Sequence, residues 1–183
     1  MTPPEISVMQ HKSHYHIQLN APATRNALSL HMVETLTSTL CDIEQSQSYL
    51  PVVLSAHGDD FCSGADLNWF QQSLQNDKKN NYNESKKLYT LFNTLNSLSN
   101  PTLCYIQGHV FGGGLGLISC CDYVMASSNS QFCFSEVRLG LTPATIMPFV
   151  LAKIGVSSAR ALMISAKVFH VEQALNSRLI HEI

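Results

Sequence analysis

Three consecutive glycines mark the first segment of this sequence that could do chemistry. Gly112, Gly113 and Gly114 lie between an apolar run that ends at Phe111 and another that continues to Cys121. Such glycines cost backbone entropy, which is worthwhile where backbone N–H groups must approach a ligand closely. At the start of a helix these N–H groups can hold an anionic or polarised oxygen. Close packing of a helix on a strand explains the same glycines equally well, because neither the dinucleotide-binding nor the phosphate-loop pattern is present.

A second loop of small residues, 61–67, follows another predicted strand and precedes another predicted helix. Ala65 in this loop can offer a second free N–H at a helix start. Two such donors aimed at a thioester oxygen stabilise an enolate-like state, by about 3 to 4 kcal/mol per donor. The neighbouring Asp66 is explained by the favourable position of a carboxylate at a helix N-terminus.

Glu136 is an acidic residue among apolar neighbours, in the segment FCFSEVRLG of residues 132–140. Burial would raise its pKa, and a carboxyl group near neutrality can exchange a proton with the carbon next to a carbonyl. An ion pair with Arg138, or simple exposure to solvent, remains an alternative interpretation. Serine and cysteine nucleophiles have no local signature here, and the pattern Gly-x-Ser-x-Gly is absent.

The hydrophobic pattern predicts a domain in which strands and helices alternate. Strands are expected at Ile6–Gln10, Tyr15–Leu19, 51–56, 102–107 and 122–126. Helices are expected after the N-cap residue Ser29, with Met32, Val33, Leu36, Leu40 and Ile43 on one face, and along 88–98. Between them, residues 71–85 are polar with almost nothing to bury, which predicts a mobile surface excursion.

Four segments occur together in an order and spacing typical of one family: RNALS at 25–29, FCSGADL at 61–67, GHVFGGGLG at 108–116 with Asp122, and 132–140 with Pro143. The chain thereby resembles the crotonase (enoyl-CoA hydratase/isomerase) superfamily, and within it the methylglutaconyl-CoA hydratase-like group of leucine and isoprenoid breakdown. The resemblance implies an α/β fold, a spiral of ββα units with two roughly perpendicular sheets and flanking helices. It covers 1–183 as a single core domain and implies that the C-terminal helical trimerisation segment is missing.

The resemblance also implies a site for an acyl-CoA thioester. The carbonyl oxygen would lie between the N–H groups of Ala65 and Gly113, and Glu136 would be the acid/base. Residues on the path of the CoA part would be Arg25, Ala27, Leu28, Ala65, Asp66, Leu67, Asn68 and Gly113, with Arg25 a phosphate partner by charge. Coenzyme A is then part of the substrate, and no separate cofactor is expected.

Gly116 stands where a typical hydratase of this superfamily has a second catalytic glutamate. The expected function is that of a lyase that adds water to, or removes it from, a short or branched 2-enoyl-CoA, with one general acid/base. Two alternatives stay open: a Δ3,Δ2-enoyl-CoA isomerase, which needs only one carboxylate, and a noncatalytic acyl-CoA-binding homologue. The early end at Ile183 would leave apolar surface exposed, and a homo-oligomer, a trimer or hexamer, is expected from the family.

Composition narrows the possible partners and the compartment. The 183 residues predict one domain at roughly 150 residues each. With 11 basic and 13 acidic residues, the net charge of -2 argues against nucleic acid. The start of the chain has no leader pattern, and the longest apolar run, at 115–118, is far below the roughly 20 residues of a membrane span. The six cysteines mostly lie in apolar runs and the eight histidines lack zinc spacing, which predicts a cytoplasmic protein without a metal.

Overall fold

Strands and helices alternate along the computed structural model, which describes residues 4–183 except for the side chains of Leu67 and Phe70. The elements are β1 (Ile6–Gln10), β2 (Tyr15–Leu19), α1 (Leu30–Gln45), β3 (Val52–Ala56), α2 (Leu67–Ser73), α3 (Lys78–Asn96), β4 (Thr102–Ile106), β5 (His109–Phe111), α4 (Gly113–Ser119), β6 (Tyr123–Ala126), β7 (Gln131–Cys133), α5 (Met147–Ser165), β8 (Phe169–His170) and α6 (Val171–Asn176). Two 3-10 helices, Pro22–Thr24 and Glu136–Leu139, complete the described elements. The α/β class, with two sheets and flanking helices, is confirmed.

The larger sheet has the strand order β1-β2-β3-β4-β6. β1 and β2 pair antiparallel with Ile6 opposite Leu19, as the predicted hairpin requires, and the other neighbours are parallel. Buried and partly exposed residues alternate along β2 and β3, so one face of this sheet packs on the core. The smaller sheet has the order β5-β7-β8, with β5 and β7 parallel. Parallel strands end at the same edge, which gathers the loops that follow them.

α1 begins and packs as its sequence predicts. The Ser29 hydroxyl accepts a hydrogen bond from the Met32 N–H at 3.0 Å, which caps the helix. The five predicted apolar positions are all buried: Met32, Val33, Leu36, Leu40 and Ile43. This face packs against α3 and the larger sheet, and each fully buried side chain of this kind contributes about 1.5 to 3 kcal/mol.

The segment 71–85 lies at the surface as expected, but its second half is helical. α2 ends at Ser73, and residues 78–85 form the first two turns of α3. Asp77 caps this helix by accepting a hydrogen bond from the Asn80 N–H at 2.7 Å. The polar composition hid the helix because its apolar stripe begins only at Leu88. Some polar residues of these first turns line a cavity, which is described below.

α5 corrects a second expectation, that the longest apolar run lies at 115–118. Met147–Ser165 is 19 residues long with a mean hydropathy of 1.4, and by length and composition alone it could cross a membrane. Six of its side chains belong to the core, among them Phe149 and Leu162. Gly155 interrupts it with φ 76° and ψ 161°, so the segment is two helices joined by a kink.

Candidate active site

Two loops that end at the site are held side by side by backbone hydrogen bonds. Cys62 pairs with Val110 in a parallel bridge. The Cys62 N–H donates to the His109 carbonyl at 3.0 Å, and the Phe111 N–H donates to the Cys62 carbonyl at 2.9 Å. Both chain segments therefore run in the same direction and turn away at the same point. The small-residue loop and the glycine loop meet there.

The backbone conformation at Gly112 requires a glycine. Its φ of 47° and ψ of -114° are disfavoured for residues with a side chain. A Cβ atom on Gly112 would lie 3.6 Å from the Gly64 Cα and 3.5 Å from the Glu136 Oε1. Because these are ordinary van der Waals distances, the glycine is required by the turn rather than by lack of space.

Two backbone N–H groups in these loops, those of Ala65 and Gly113, have no backbone acceptor among residues 4–183. The Leu28 N–H donates to the Gly64 carbonyl at 2.8 Å, and the Asp66 N–H donates to the Leu28 carbonyl at 3.0 Å. This pairing turns the N–H of the intervening Ala65 away from Leu28. Gly113 begins α4, and the N–H groups of a first turn have no intrahelical acceptor. Neither N–H has an acceptor among the hydrogen bonds found within residues 4–183, so both can donate to a ligand.

Glu136 begins the second 3-10 helix and faces the same place. Its Oε2 is buried and has no hydrogen-bond partner among the described residues. Burial raises the pKa of this carboxyl group, as the sequence predicted. The alternative of an ion pair with Arg138 is wrong, because the Arg138 guanidinium donates to the Ala166 carbonyl at 2.5 Å. Glu136 is thus a largely buried carboxyl group whose neutral form is favoured by its surroundings.

A cavity of about 380 Å³ connects these groups. Ala65, Gly113 and Glu136 all line it. Much of the remaining wall is apolar and includes Leu28, Trp69, Leu88, Phe92, Leu141 and Ile146. Such a wall suits a hydrocarbon chain. The polar groups at one end can then contact the functional group to which that chain is attached.

The position of Gly116 has no room for a second carboxylate. A Cβ atom there would lie 2.5 Å from the Ile146 Cγ2 and 2.8 Å from two atoms of the Phe92 ring. Glu136 is therefore the carboxyl group that lines this end of the cavity. One other carboxylate lines the cavity, that of Glu84 on α3.

Arg25 lies near the loops but outside the cavity wall. Its Nε donates to the Asp60 Oδ2 at 2.5 Å, and its guanidinium also contacts the His109 ring. Burial opposes the charge of Asp60, but hydrogen bonds from Arg25 and His109 lower the pKa of this carboxyl to about 2. The arginine is 49% exposed, so its role as a phosphate partner stays a prediction.

The other residues predicted to contact the substrate differ in whether they line the cavity. Leu28 lines the cavity, whereas Ala27 is buried and Asn68 is exposed. The Asp66 carboxylate caps α2 by accepting a hydrogen bond from the Trp69 N–H at 2.9 Å, as expected from its position. The side chain of Leu67 lies outside the described part of the chain.

Cys62 belongs to the small-residue loop, and its side chain is fully buried. Burial raises the pKa of its thiol to about 12, so a thiolate nucleophile does not form there near neutral pH. Within residues 4–183, no three His, Cys, Asp or Glu side chains are arranged to hold a metal ion.

Sequence reasoning missed the cavity wall on α3. Asn81, Glu84, Ser85, Leu88 and Phe92 all line the cavity. Their spacing of three or four residues is that of one helix face. The helical spacing of these five residues is visible in the sequence. It was not recognised because the face mixes polar and apolar residues instead of forming an apolar stripe.

Comparison with known proteins assigns the family. The sequence model described as Enoyl-CoA hydratase/isomerase matches residues 10–183. The chain belongs to the enoyl-CoA hydratase/isomerase family. Its fold matches the crystal structure of an enoyl-CoA hydratase from Shewanella pealeana with a TM-score of 0.96 at 32% identity, over 100% of this chain and 69% of that one.

Curated members of the enoyl-CoA hydratase/isomerase family include similar sequences of both reaction types. Enoyl-CoA hydratase AKT6-1 of Alternaria alternata is 35% identical over 176 residues, which is 96% of this chain and 57% of that protein. The peroxisomal Delta(3,5)-Delta(2,4)-dienoyl-CoA isomerase of Arabidopsis thaliana is 26% identical over 92% of this chain and 64% of that protein. The chain thus spans less than two thirds of the length of these curated relatives.

Proposed function

We propose that this chain adds water reversibly to the double bond of a 2-enoyl-CoA thioester with a short or branched acyl group. One observation carries the proposal: Glu136 lines the same cavity as Ala65 and Gly113, and within the described residues its buried Oε2 and the N–H groups of those two residues have no hydrogen-bond partner. Two backbone donors and one acid/base are the groups that an enolate mechanism requires.

In the proposed reaction, the thioester oxygen accepts hydrogen bonds from the N–H groups of Ala65 and Gly113. Glu136 takes a proton from water as the water oxygen bonds to the β-carbon. The electron pair of the double bond moves to the thioester oxygen, which the two donors stabilise as an enolate. Glu136 then returns a proton to the α-carbon, so the carboxyl group ends as it began.

Gly116 motivates the alternative reaction. With one carboxyl group at this end, Glu136 can also remove a proton from one carbon and return it to another, which moves the double bond without adding water. The product separates the two reactions, because hydration adds the mass of water and isomerisation leaves the mass unchanged.

The test uses this chain and its Glu136→Gln variant with crotonyl-CoA and 3-methylglutaconyl-CoA, followed by loss of the enoyl absorbance and by mass. We expect hydration by the unaltered chain and a loss of about a hundredfold or more in the variant. Glu172→Gln, which alters an exposed carboxylate on α6, is the matched control and should retain turnover. Binding of both thioesters without turnover would refute the enzyme and support a noncatalytic acyl-CoA-binding protein.

Three further properties are proposed with this function. The motifs at 111–116 and 135–145 favour the methylglutaconyl-CoA hydratase-like group and a role in leucine breakdown, which makes 3-methylglutaconyl-CoA the first branched substrate to assay. We also propose a homo-oligomer, to be measured by light scattering after size-exclusion chromatography. The buried, unpaired cysteines, Cys104 among them, favour a reducing compartment such as the cytoplasm.

A further inference from the structure

The cavity is longer than a short acyl group needs. Along α3 its wall extends from Phe92 back to Glu84 and Asn81. Phe92 and Glu84 are eight positions apart, which corresponds to about 12 Å of helix. Phe92 marks the reacting end, because its Cζ lies 3.9 Å from the place of a Cβ on Gly113. Glu84 therefore marks the far end.

The wall between these ends suits a hydrocarbon chain. Leu88 lies one turn from Phe92 on the same helix face, and Trp69, Leu141 and Pro143 contribute from other segments. An acyl chain that leaves the thioester along this wall loses contact with water gradually and gains apolar contacts. The residues at the far end of this wall, Glu84 and Asn81, are polar.

The far end of the cavity offers hydrogen-bond acceptors. The Glu84 carboxylate accepts a hydrogen bond from the Trp69 Nε1–H at 2.9 Å and another from the Asn76 Nδ2–H at 3.0 Å. These bonds fix its orientation and use about two of its four acceptor positions. Asn81 lies one turn away on the wall, and its Oδ1 is buried without a hydrogen-bond partner within the described chain.

We propose that Glu84 selects acyl groups by their far end. Besides short acyl groups, the cavity takes chains of about ten carbons that end in a hydroxyl group, and it rejects equally long chains that end in a carboxylate. An extended hydrocarbon chain with bonds of about 1.5 Å zigzags and advances only about 1.25 Å per bond, so about ten carbons span about 12 Å. A terminal hydroxyl donates to the free acceptor positions of Glu84. A terminal carboxylate would lie beside the like charge of the half-buried Glu84, and a terminal methyl would cover acceptors that need donors.

This selectivity rests on the proposed function, since it assumes that the acyl group of a CoA thioester enters the cavity. Its test uses binding alone, so that it is independent of turnover. The probes are decanoyl-CoA, 10-hydroxydecanoyl-CoA and the mono-CoA ester of decanedioic acid, which are saturated and cannot be hydrated. Isothermal titration calorimetry gives each dissociation constant at neutral pH.

We expect the hydroxylated chain to bind tightest and the carboxylated chain weakest, with the extremes at least about tenfold apart. In Glu84→Gln, which keeps the shape and removes the charge, this ratio should fall below about threefold. In Asn81→Asp, which adds a charge at the same end, the ratio should widen. Glu34→Gln removes an exposed carboxylate of α1 that pairs with Lys87, and this control should preserve the order.

Equal binding of the three probes by the unaltered chain would overturn the selectivity, as would an unchanged ratio in Glu84→Gln. Failure of all three to bind would refute a cavity that takes long chains. If the hydroxyl preference holds while crotonyl-CoA is not hydrated, the proposed reaction fails and the selectivity stands. Binding of the three probes thus tests the selectivity, and hydration of crotonyl-CoA tests the proposed reaction.

Discussion

Replacement of Gly116 by alanine tests how tightly the reacting end of the cavity is packed. The added Cβ would lie 2.5 Å from the Ile146 Cγ2 and 2.8 Å from the Phe92 ring, closer than carbon atoms can approach. Both neighbours are almost fully buried, with exposures of 1% and 0%, so neither can withdraw into solvent. A small-to-large change in such a place costs about 1 to 3 kcal/mol.

A helical glycine replaced by alanine also gains about 0.5 to 1 kcal/mol from backbone entropy. Because two buried groups must move, we take the overlap near the upper end and expect a net loss of about 2 kcal/mol in the free energy of unfolding. For a domain of this size that lowers Tm by about 4 to 8 °C. Thermal and urea unfolding measure it directly.

The Ile146→Ala variant supplies the decisive comparison, because it removes the Cγ2 atom that Gly116→Ala would strike. Alone it should cost about 2 to 5 kcal/mol. In the double variant the two changes should couple, so that the total loss is smaller than the sum by about 1 to 2 kcal/mol. If Gly116→Ala instead stabilises the protein, or if the two changes are additive, the packing described around Gly116 is wrong.

Three further predictions concern charge and capping. Asp60→Asn should lower the free energy of unfolding at pH 7 by about 1 kcal/mol, a value reduced because Arg25 is half exposed. Since the folded pKa of Asp60 is depressed to about 2, the difference between variant and unaltered protein should disappear as the pH falls from about 5 to 2. Urea unfolding at a series of pH values measures it. Glu136→Gln should raise the free energy of unfolding at neutral pH, since burial raises the folded pKa of Glu136 and disfavours its charged form; the gain should vanish below about pH 4, where the carboxyl is protonated in both states. An equal gain at every pH would contradict that burial effect. Asp77→Ala should cost about 1 kcal/mol by removing the α3 cap, measured by urea unfolding against Asp59→Ala, an exposed loop carboxylate, as control.

Much of the fold follows from patterns that local physics controls. The β1–β2 hairpin and the buried face of α1 were predictable because strand alternation, an N-cap serine and helical spacing all point to one answer. The start of α3 was not, because its first turns bury no apolar stripe and are set by the Asp77 cap and by contacts with α2. A single-sequence pattern does not contain such tertiary contacts.

Part of the candidate site was also predictable from the sequence, and part of it was not. Glycine spacing located the loop that begins at Gly112, and the apolar surroundings of Glu136 predicted its raised pKa. The engagement of Arg25 by Asp60 could not be predicted, because the two residues lie 35 positions apart and meet only through folding. Glu84 was missed for the same reason, since its place in the wall depends on how α3 lies against the loops.

The parallel bridge between Cys62 and Val110 has a consequence for how selectivity and reactivity can change independently. The two unpaired donors belong to the main chain, so their spacing is inherited from strand pairing rather than from any side chain they carry. The wall that we propose contacts the far end of the acyl group belongs to α3, an element outside both sheets. Substitutions in the first turns of α3, around Asn81 and Glu84 and away from Phe92 beside Gly113, should therefore change which acyl groups enter while the donor geometry stays as it is. A library confined to those turns should yield altered preference with intact chemistry.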